Sequence, residues 1–286
     1  MAKHLLGKPI IAQMTAADTE RCLRLKASGV EPTLAVVRVG ERADDLSYER
    51  TLKKRCETVG IKVRSVVLPL STTQEEVLAT IETLNQDGQV HGILVFRPLP
   101  IDCDQEAIRN AVAAQKDVDG CTDRSLLGVF VNEPLGFSPC TAEAVITLLD
   151  GYEIALEGKS VAVVGRSLVV GRPLSMLLTH RNATVTLCHS RTKDLAAKTK
   201  EADIVVLCSG QMEHFGKAYF SPNQVLVDVG VNWNEEKGKI CGDLCFDEVE
   251  ELVEAATPVP GGVGGVTTAV LVSHVLDAAE RTLKRE

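Results

Sequence analysis

The residues best placed for chemistry in this sequence are Arg166 and Ser167, a cation and a hydroxyl at the mouth of a glycine turn. The turn follows a short apolar run, Val161 to Val164, long enough for a fully buried parallel strand. An apolar stretch from about Pro173 to His180 then reads as a helix. Strand, glycine turn and helix form the first half of a nucleotide-binding βαβ unit, in which helix N-terminal amides face a phosphate. The spacing departs from G-x-G-x-x-G, since Gly165 is followed by five residues and then Gly171. Such glycines also serve an ordinary strand-to-helix connection, because a turn needs φ > 0 with or without a ligand. Arg166 and Ser167 tip the reading toward phosphate, which both side chains can hydrogen-bond.

About twenty residues beyond such a turn, a site for NAD places a carboxylate on the ribose hydroxyls. Here the run Thr184 to Cys188 ends in His189-Ser190-Arg191, with no carboxylate. Arg166, Ser190 and Arg191 suit a 2′-phosphate, so NADP is the expected cofactor. The alternative for Arg191 is a solvated loop charge. Cys241 and Cys245 are four apart with no further ligands nearby, and no metal site is expected.

Strands alternating with helices of about 10–15 residues have to position these groups, and they imply parallel βαβ units in an α/β fold. The strands expected are Thr33 to Val39, Lys62 to Leu68, His91 to Phe96, Val161 to Val164, Thr184 to Cys188, Ile204 to Cys208 and Val225 to Val229. Helices are expected from about Ala12 to Ser28, Leu46 to Val59 (stopped by Gly60), Thr73 to Asn85 and Asp104 to Ala114. Others run from Thr141, read as an N-cap, to about Asp150, from Lys193 to Glu201, and from Thr267 to about Leu283. Residues 121 to 138 read as irregular, and Thr257 to Gly265 as a Pro/Gly loop without regular structure.

A chain of 286 residues can hold two domains and a substantial core. Aromatic residues at 3% offer few stacking platforms for single-stranded nucleic acid. A formal net charge of −8 argues against a general nucleic-acid or anionic-membrane binder, while leaving room for local basic pockets. No apolar run approaches the ~20 residues that span a bilayer, and Met1 to Lys8 lacks a signal-peptide core. Nine cysteines without a repeated C-x-x-C read as reduced thiols, and the expected location is the cytoplasm.

Several motifs then fall in one order: Gly7-Lys8-Pro9-Ile10, Tyr48 ahead of Cys56 to Ile61, Gly92 to Val95 with Pro98-Leu99-Pro100, and Lys116-Asp117-Val118-Asp119-Gly120. Pro139-Cys140-Thr141, Gly165-Arg166-Ser167 through Val170-Gly171-Arg172-Pro173, and Thr257 to Gly264 follow. Over its whole length the chain resembles the methylenetetrahydrofolate dehydrogenase/cyclohydrolase (FolD-type) family. The resemblance implies an N-terminal α/β folate domain, residues 1–148 plus 268–286, and a Rossmann-type domain, residues 149–267, for the nicotinamide cofactor. It also implies an active-site cleft between them and a homodimer. The implied substrate is a reduced folate: 5,10-methylenetetrahydrofolate is oxidised to the 5,10-methenyl form, which the cyclohydrolase step opens to 10-formyltetrahydrofolate.

By the same resemblance, Asp119 grips the pterin's amino and ring nitrogens, and Tyr48 stacks beside the folate. On the residues alone, the lesser reading of Asp119 is a turn cap, and Tyr48 reads first as a partly buried core tyrosine. Val95, Pro98, Leu99, Pro260, Gly261, Gly262 and Thr267 are the further folate-side residues implied. Gly165, Arg166, Ser167, Val170, Gly171, His189, Ser190, Arg191, Ser209, Gly210, Gly230 and Val231 are those implied for NADP.

The chain departs from the family at one functional pair. The cyclohydrolase lysine of Y-V-x-x-K is Leu52, and the glutamine of V-Q-x-P-L-P is Phe96. Residues four apart lie about 40° apart around a helix, whereas Lys53 and Lys54 are turned about 140° and 120° from Tyr48. A Leu–Phe contact would fill the space of the polar pair, and losing both partners leaves neither unsatisfied. Nearby, Gly265-Val266 replaces Pro-Met and Ala142 replaces a proline. The reading is thus an NADP-dependent dehydrogenase with weak or absent cyclohydrolase activity. The alternatives are a fully bifunctional enzyme, with Arg50, Arg97 or Lys53 as substitute cation, a catalytically silent folate- or NADP-binding regulator, or another Rossmann dehydrogenase.

Overall fold

The structure is a computed structural model that describes residues 1–283. The chain order is β1 (Lys3–His4), α1 (Gly7–Ala27), β2 (Thr33–Val39), α2 (Ala43–Val59), β3 (Lys62–Leu68), α3 (Gln74–Gln86), β4 (Gly92–Val95), α4 (Gln105–Ala111), α5 (Asp123–Val131) and α6 (Cys140–Gly151). It continues with β5 (Ser160–Val164), α7 (Gly171–His180), β6 (Thr184–Cys188), α8 (Leu195–Lys200), β7 (Ile204–Leu207) and β8 (Val225–Asp228). The last elements are β9 (Asn232–Asn234), β10 (Lys239–Cys241), α9 (Phe246–Val249), β11 (Ala255–Ala256) and α10 (Val263–Leu283). Two compact units result: Met1–Ile11 with Thr141–Thr267, and Ala12–Cys140 with the stretch from Thr268 onward.

The second of these holds a parallel sheet of order β3-β2-β4. Its central strand β2 is buried along its whole length, as a run of β-branched and aliphatic residues between two neighbours should be. The exception in that run is Arg38, whose buried charge meets Glu49 of α2 at 2.9 Å and the Gly40 carbonyl. Val77, Ile81 and Leu84 of α3 pack with Val37, Ile93 and Val95 to form the core. Because β3 and β4 lie on opposite sides of β2, the strand order reverses beside it. In open α/β sheets ligands bind at such a reversal, which here lies outside the carboxyl ends Val39-Gly40 and Val95-Phe96.

The other unit holds a six-stranded parallel sheet, β1-β11-β8-β7-β5-β6, and a separate β9–β10 hairpin. Its reversal lies between β5 and β7, whose ends lead into Gly165 and Cys208. Ala162, Val164, Val205, Leu207, Leu226 and Phe215 fill the core.

The structure corrects the sequence reading at four places. Residues 121 to 138 contain α5, capped by Thr122, whose side chain accepts from the Ser125 amide. Helix α6 starts at Cys140, so Thr141 lies within its first turn rather than at the cap. Helix α10 starts at Val263, inside the expected Pro/Gly loop: burial of Val263 and Val266 outweighs the poor propensity of Gly264 and Gly265. Helix α1 starts at Gly7, with Pro9 in its first turn, where a missing N–H costs nothing. The division at 148/149 and the placing of residues 1–11 with the folate domain also differ from the observed units. Lys3 and His4 pair in parallel with Ala255 and Ala256 of the six-stranded sheet. Among the described residues no helix is long and apolar enough to cross a membrane, and the nine cysteines are free thiols.

Candidate functional site

In the three-stranded unit, α2 follows β2 and carries Tyr48, and the turn after β4 carries Phe96. The two rings meet edge to face, with centroids 5.6 Å apart and planes at 69°. Tyr48 leaves 39% of its surface exposed, more than a core tyrosine would. Burial, followed by the nearby Asp119 charge, raises its pKa well above the ordinary phenol range, with the Thr268 side chain acting in the opposite direction. At neutral pH it is therefore a neutral O–H.

The two aspartates of Lys116-Asp117-Val118-Asp119-Gly120 divide the roles that the sequence left open. Asp117 is buried and accepts from the Cys121 amide (3.1 Å), the Thr122 amide (2.8 Å) and the Ser125 hydroxyl (2.7 Å). It is the turn cap. Asp119 accepts no backbone N–H among the described residues and sits in a recess, enclosed by protein yet with 36% of its side chain accessible. Burial raises its pKa most, and Asp117 adds to the rise. Arg97, His274 and the Cys121 thiol work in the opposite direction. Gly120 holds this turn at φ 71°, and a Cβ there would lie 2.3 Å from the Ser138 carbonyl.

Leu52, one turn beyond Tyr48 on α2, is fully buried, and Phe96 is 8% exposed. Lys53 is bound to Glu49 at 2.8 Å and so is engaged away from Tyr48. Arg50 is exposed. Arg97 lies 3.8 Å from Asp119. Arg55, three residues after Leu52, has a buried Nε without a hydrogen-bond partner, and burial lowers its pKa. Val95 and Leu99 pack in the core, while Pro98 is exposed. Thr268 and Arg55 were not legible as site residues, since each stands beside a motif position rather than on one, and Arg97 was legible only as a possible substitute cation, not as a neighbour of Asp119.

In the six-stranded unit the glycines of the turn are required by backbone contact. A Cβ on Gly165, at φ 136°, would lie 2.3 Å from the Cys208 carbonyl oxygen, and one on Gly171 only 1.9 Å from that of Gly165. Arg166 and Ser167 project from this turn, exposed, and the Ser167 hydroxyl accepts from the Val170 amide at 3.1 Å. A nucleotide phosphate fits this cradle, because a backbone free of Cβ atoms can approach its oxygens. Gly171→Ala is expected to destabilise the unit by about 3 kcal/mol, since its Cβ meets main chain that cannot yield. Urea denaturation with and without NADP checks this, and an unchanged midpoint would show the turn to be pliable.

After β6, His189 forms a tight turn: its amide donates to the Thr192 hydroxyl (2.8 Å) and its Nδ1 accepts from the Arg191 amide (3.1 Å). The Ser190 and Arg191 side chains are left exposed. Ser209 behaves differently. Its amide and hydroxyl, with the Gly210 amide, donate to one oxygen of the fully buried Asp243, at 2.7, 2.9 and 3.0 Å. Gly230 packs on the same aspartate, and Val231 is 66% exposed. Pro260, Gly261 and Gly262 line an apolar recess of about 220 Å³ with Asp228, Gly230, Val231 and Ile240. The Gly261 carbonyl accepts from the Gly7 amide at 2.8 Å. The Thr267 hydroxyl bonds its own helix at Val263. Tyr48, Phe96 and Asp119 thus belong to the three-stranded unit, and the glycine turn with Arg166 and Ser167 to the six-stranded one.

Two family models match the chain: the tetrahydrofolate dehydrogenase/cyclohydrolase catalytic domain over residues 5–119, and the NAD(P)-binding domain of the same enzymes over residues 139–283. The protein named bifunctional protein FolD 1 from Desulfitobacterium hafniense (strain Y51) is 44% identical over 280 residues, covering 98% of this chain and 99% of that protein. Among solved structures, the bifunctional FolD methylenetetrahydrofolate dehydrogenase/cyclohydrolase of Campylobacter jejuni superposes with a TM-score of 0.95 at 38% identity, over 99% of this chain and 100% of that one. The Trypanosoma brucei FolD enzyme, solved with NADP and an inhibitor, gives 0.91 at 31% identity over 99% of each chain. On these matches the chain belongs to the tetrahydrofolate dehydrogenase/cyclohydrolase family.

Proposed function

We propose that the chain oxidises 5,10-methylenetetrahydrofolate to 5,10-methenyltetrahydrofolate with NADP, and that it has little or no cyclohydrolase activity. The observation that carries this reading is the contrast between Asp119, left without backbone donors in an open recess, and Leu52, buried where the family has its proton-handling lysine. Bound NADP supplies the hydride acceptor. The two nitrogens flanking the methylene bridge stabilise the developing cation, so the protein needs to position the folate rather than exchange protons with it. Asp119 can accept two parallel N–H bonds from the pterin edge, with Tyr48 beside it. Hydrolysis of the methenyl product needs proton transfer at the attacking water, and Leu52 and Phe96 carry no group for it. The test is a spectroscopic assay of methenyl formation and decay: normal formation with decay at the buffer rate is expected.

The relatives' name, bifunctional protein, favours a second reading in which hydrolysis survives. Arg55 and Arg97 are the cations that would have to support it. A guanidinium stays protonated and offers charge rather than proton transfer. Enzyme-dependent methenyl decay would establish that reading and overturn the first.

NADP is chosen over NAD because β6 ends in exposed Ser190 and Arg191 with no carboxylate. Arg191→Ala is expected to lower kcat/KM for NADP about 10- to 30-fold, as loss of one charge-assisted hydrogen bond does. The low rate with NAD should stay unchanged, and steady-state kinetics with both nucleotides check the split. In this reading the protein acts in the cytoplasm as a homodimer, without nucleic-acid or membrane partners; its net charge of −8 and its resemblance to the family support that placing.

A further inference from the structure

We infer that Arg97 is a positioning residue for the folate: its guanidinium holds Asp119 as a carboxylate while leaving both carboxylate oxygens open to the pterin. The inference rests on the reading of Asp119 as the pterin acceptor and adds what keeps that acceptor in working form. The nearest approach is Nη2 of Arg97 to Oδ2 of Asp119 at 3.8 Å. That distance is too long for a hydrogen bond but close enough for strong attraction in a partly buried place. Arg97 therefore supplies charge without taking the lone pairs that a donor edge would use.

The groups around Asp119 show why such a charge matters. Asp117, two residues earlier, repels a second negative charge, and the Cys121 thiol follows in the same loop. Tyr48 of α2 faces the carboxylate as a neutral hydroxyl. His274 of α10 has its Nδ1 at 2.8 Å from the Val118 carbonyl, so that nitrogen is committed as a donor. Arg97, from the turn after β4, is the one neighbour in this set with a permanent positive charge. Burial and Asp117 push Asp119 toward protonation, and Arg97 is the largest influence in the other direction. A protonated Asp119 would turn one acceptor oxygen into an O–H donor facing the donor edge of the pterin. Binding of reduced folate should therefore fail as pH falls through the Asp119 pKa, and Arg97 should set where that limb lies.

The experiment measures the Kd of 5-formyltetrahydrofolate, which keeps the pterin edge and lacks the bridge, from pH 5 to 8.5. It compares the wild type with Arg97→Met, Arg97→Lys and Asp119→Asn. Arg97→Met is expected to move the acid limb up by about one pH unit or more, the effect of removing one close cation. The variant should bind about tenfold more weakly just below the limb and nearly normally at pH 8.5. Arg97→Lys should return the limb most of the way, and Asp119→Asn should abolish it. An Arg97→Met limb that overlays the wild type, or a loss equal at every pH, overturns the role of Arg97 while leaving Asp119 in place. An Asp119→Asn protein with wild-type affinity and limb overturns both readings at once. Arg97→Lys keeps the test decisive if Arg97→Met folds poorly: a lysine variant whose limb moves as far as full charge removal predicts would also defeat the proposal.

Discussion

Asp119→Ala is expected to lower kcat/KM for methylenetetrahydrofolate by two to three orders of magnitude, with NADP affinity unchanged. A charge-assisted hydrogen bond contributes about 1.5–3 kcal/mol, and the pterin edge offers two donors to one carboxylate. Losing both, at the lower end of that range, amounts to about 3–4 kcal/mol, or roughly 10²–10³ in rate constant. Asp119→Asn should fare little better, because its amide nitrogen presents a donor to a donor. Stopped-flow or steady-state assays across substrate concentration check the size of the loss. A loss under fivefold would remove Asp119 from the site.

The same substitution should leave the fold intact, and the sign follows from the pKa direction. The folded-state pKa of Asp119 is raised above its unfolded value. The stability linked to this group is therefore fully present below the unfolded pKa and is lost as pH rises through the folded one. At neutral pH the ionised carboxylate weakens the fold, so removing it should keep or raise the Tm. Asp117→Ala is the contrast. It strands two backbone amides and the Ser125 hydroxyl in a buried loop, and should cost about 2–4 kcal/mol. One aspartate would thus fail in activity and the other in stability. If both variants melted equally early, the division of roles within this loop would be wrong.

How far these features could be read from the chain depends on what each element needed. Strands β2, β3 and β6 run between the residues expected of them, because each is an apolar or β-branched run closed by glycine, proline or polar turn residues. Helix α2 ends where Gly60 takes φ 97°, a conformation that glycine adopts without strain. Helix α5 escaped because Leu127, Phe130 and Val131 leave its apolar side largely exposed, so no inward stripe marks it. The two-residue strands β1 and β11 have no period to read, and they carry the first residues of the chain to the six-stranded sheet. At the candidate site, motif order singled out Asp119 and Tyr48. Arg55, Thr268 and the pairing of Arg97 with Asp119 became visible only through distance, because a side chain's neighbours across space leave no spacing signal along the chain.

Leu52→Lys combined with Phe96→Gln is expected to create methenyl hydrolysis at least about a hundredfold above the buffer rate, within the usual range of general acid–base catalysis. Each change alone should fail for a different reason. Leu52 has no exposed surface, so a lysine there buries an ammonium without a partner and should cost about 3 kcal/mol or more. Phe96→Gln gives up the ring contact with Tyr48 and leaves an unpaired amide beside it, a loss of similar size. Both positions adjoin Tyr48, one by helix register and the other by ring contact. Together the new side chains can satisfy each other, and the double variant should be more stable than the sum of the singles by at least about 1 kcal/mol. Urea denaturation of the four proteins measures that coupling, and the decay of methenyltetrahydrofolate measures the chemistry. A double variant that folds, reduces NADP normally and still leaves methenyl decay at the buffer rate would place the hydrolytic defect elsewhere. The pocket would then have lost more than an amine and its partner, and Arg55, whose buried Nε has no counterpart in the present site, would be the next group to remove.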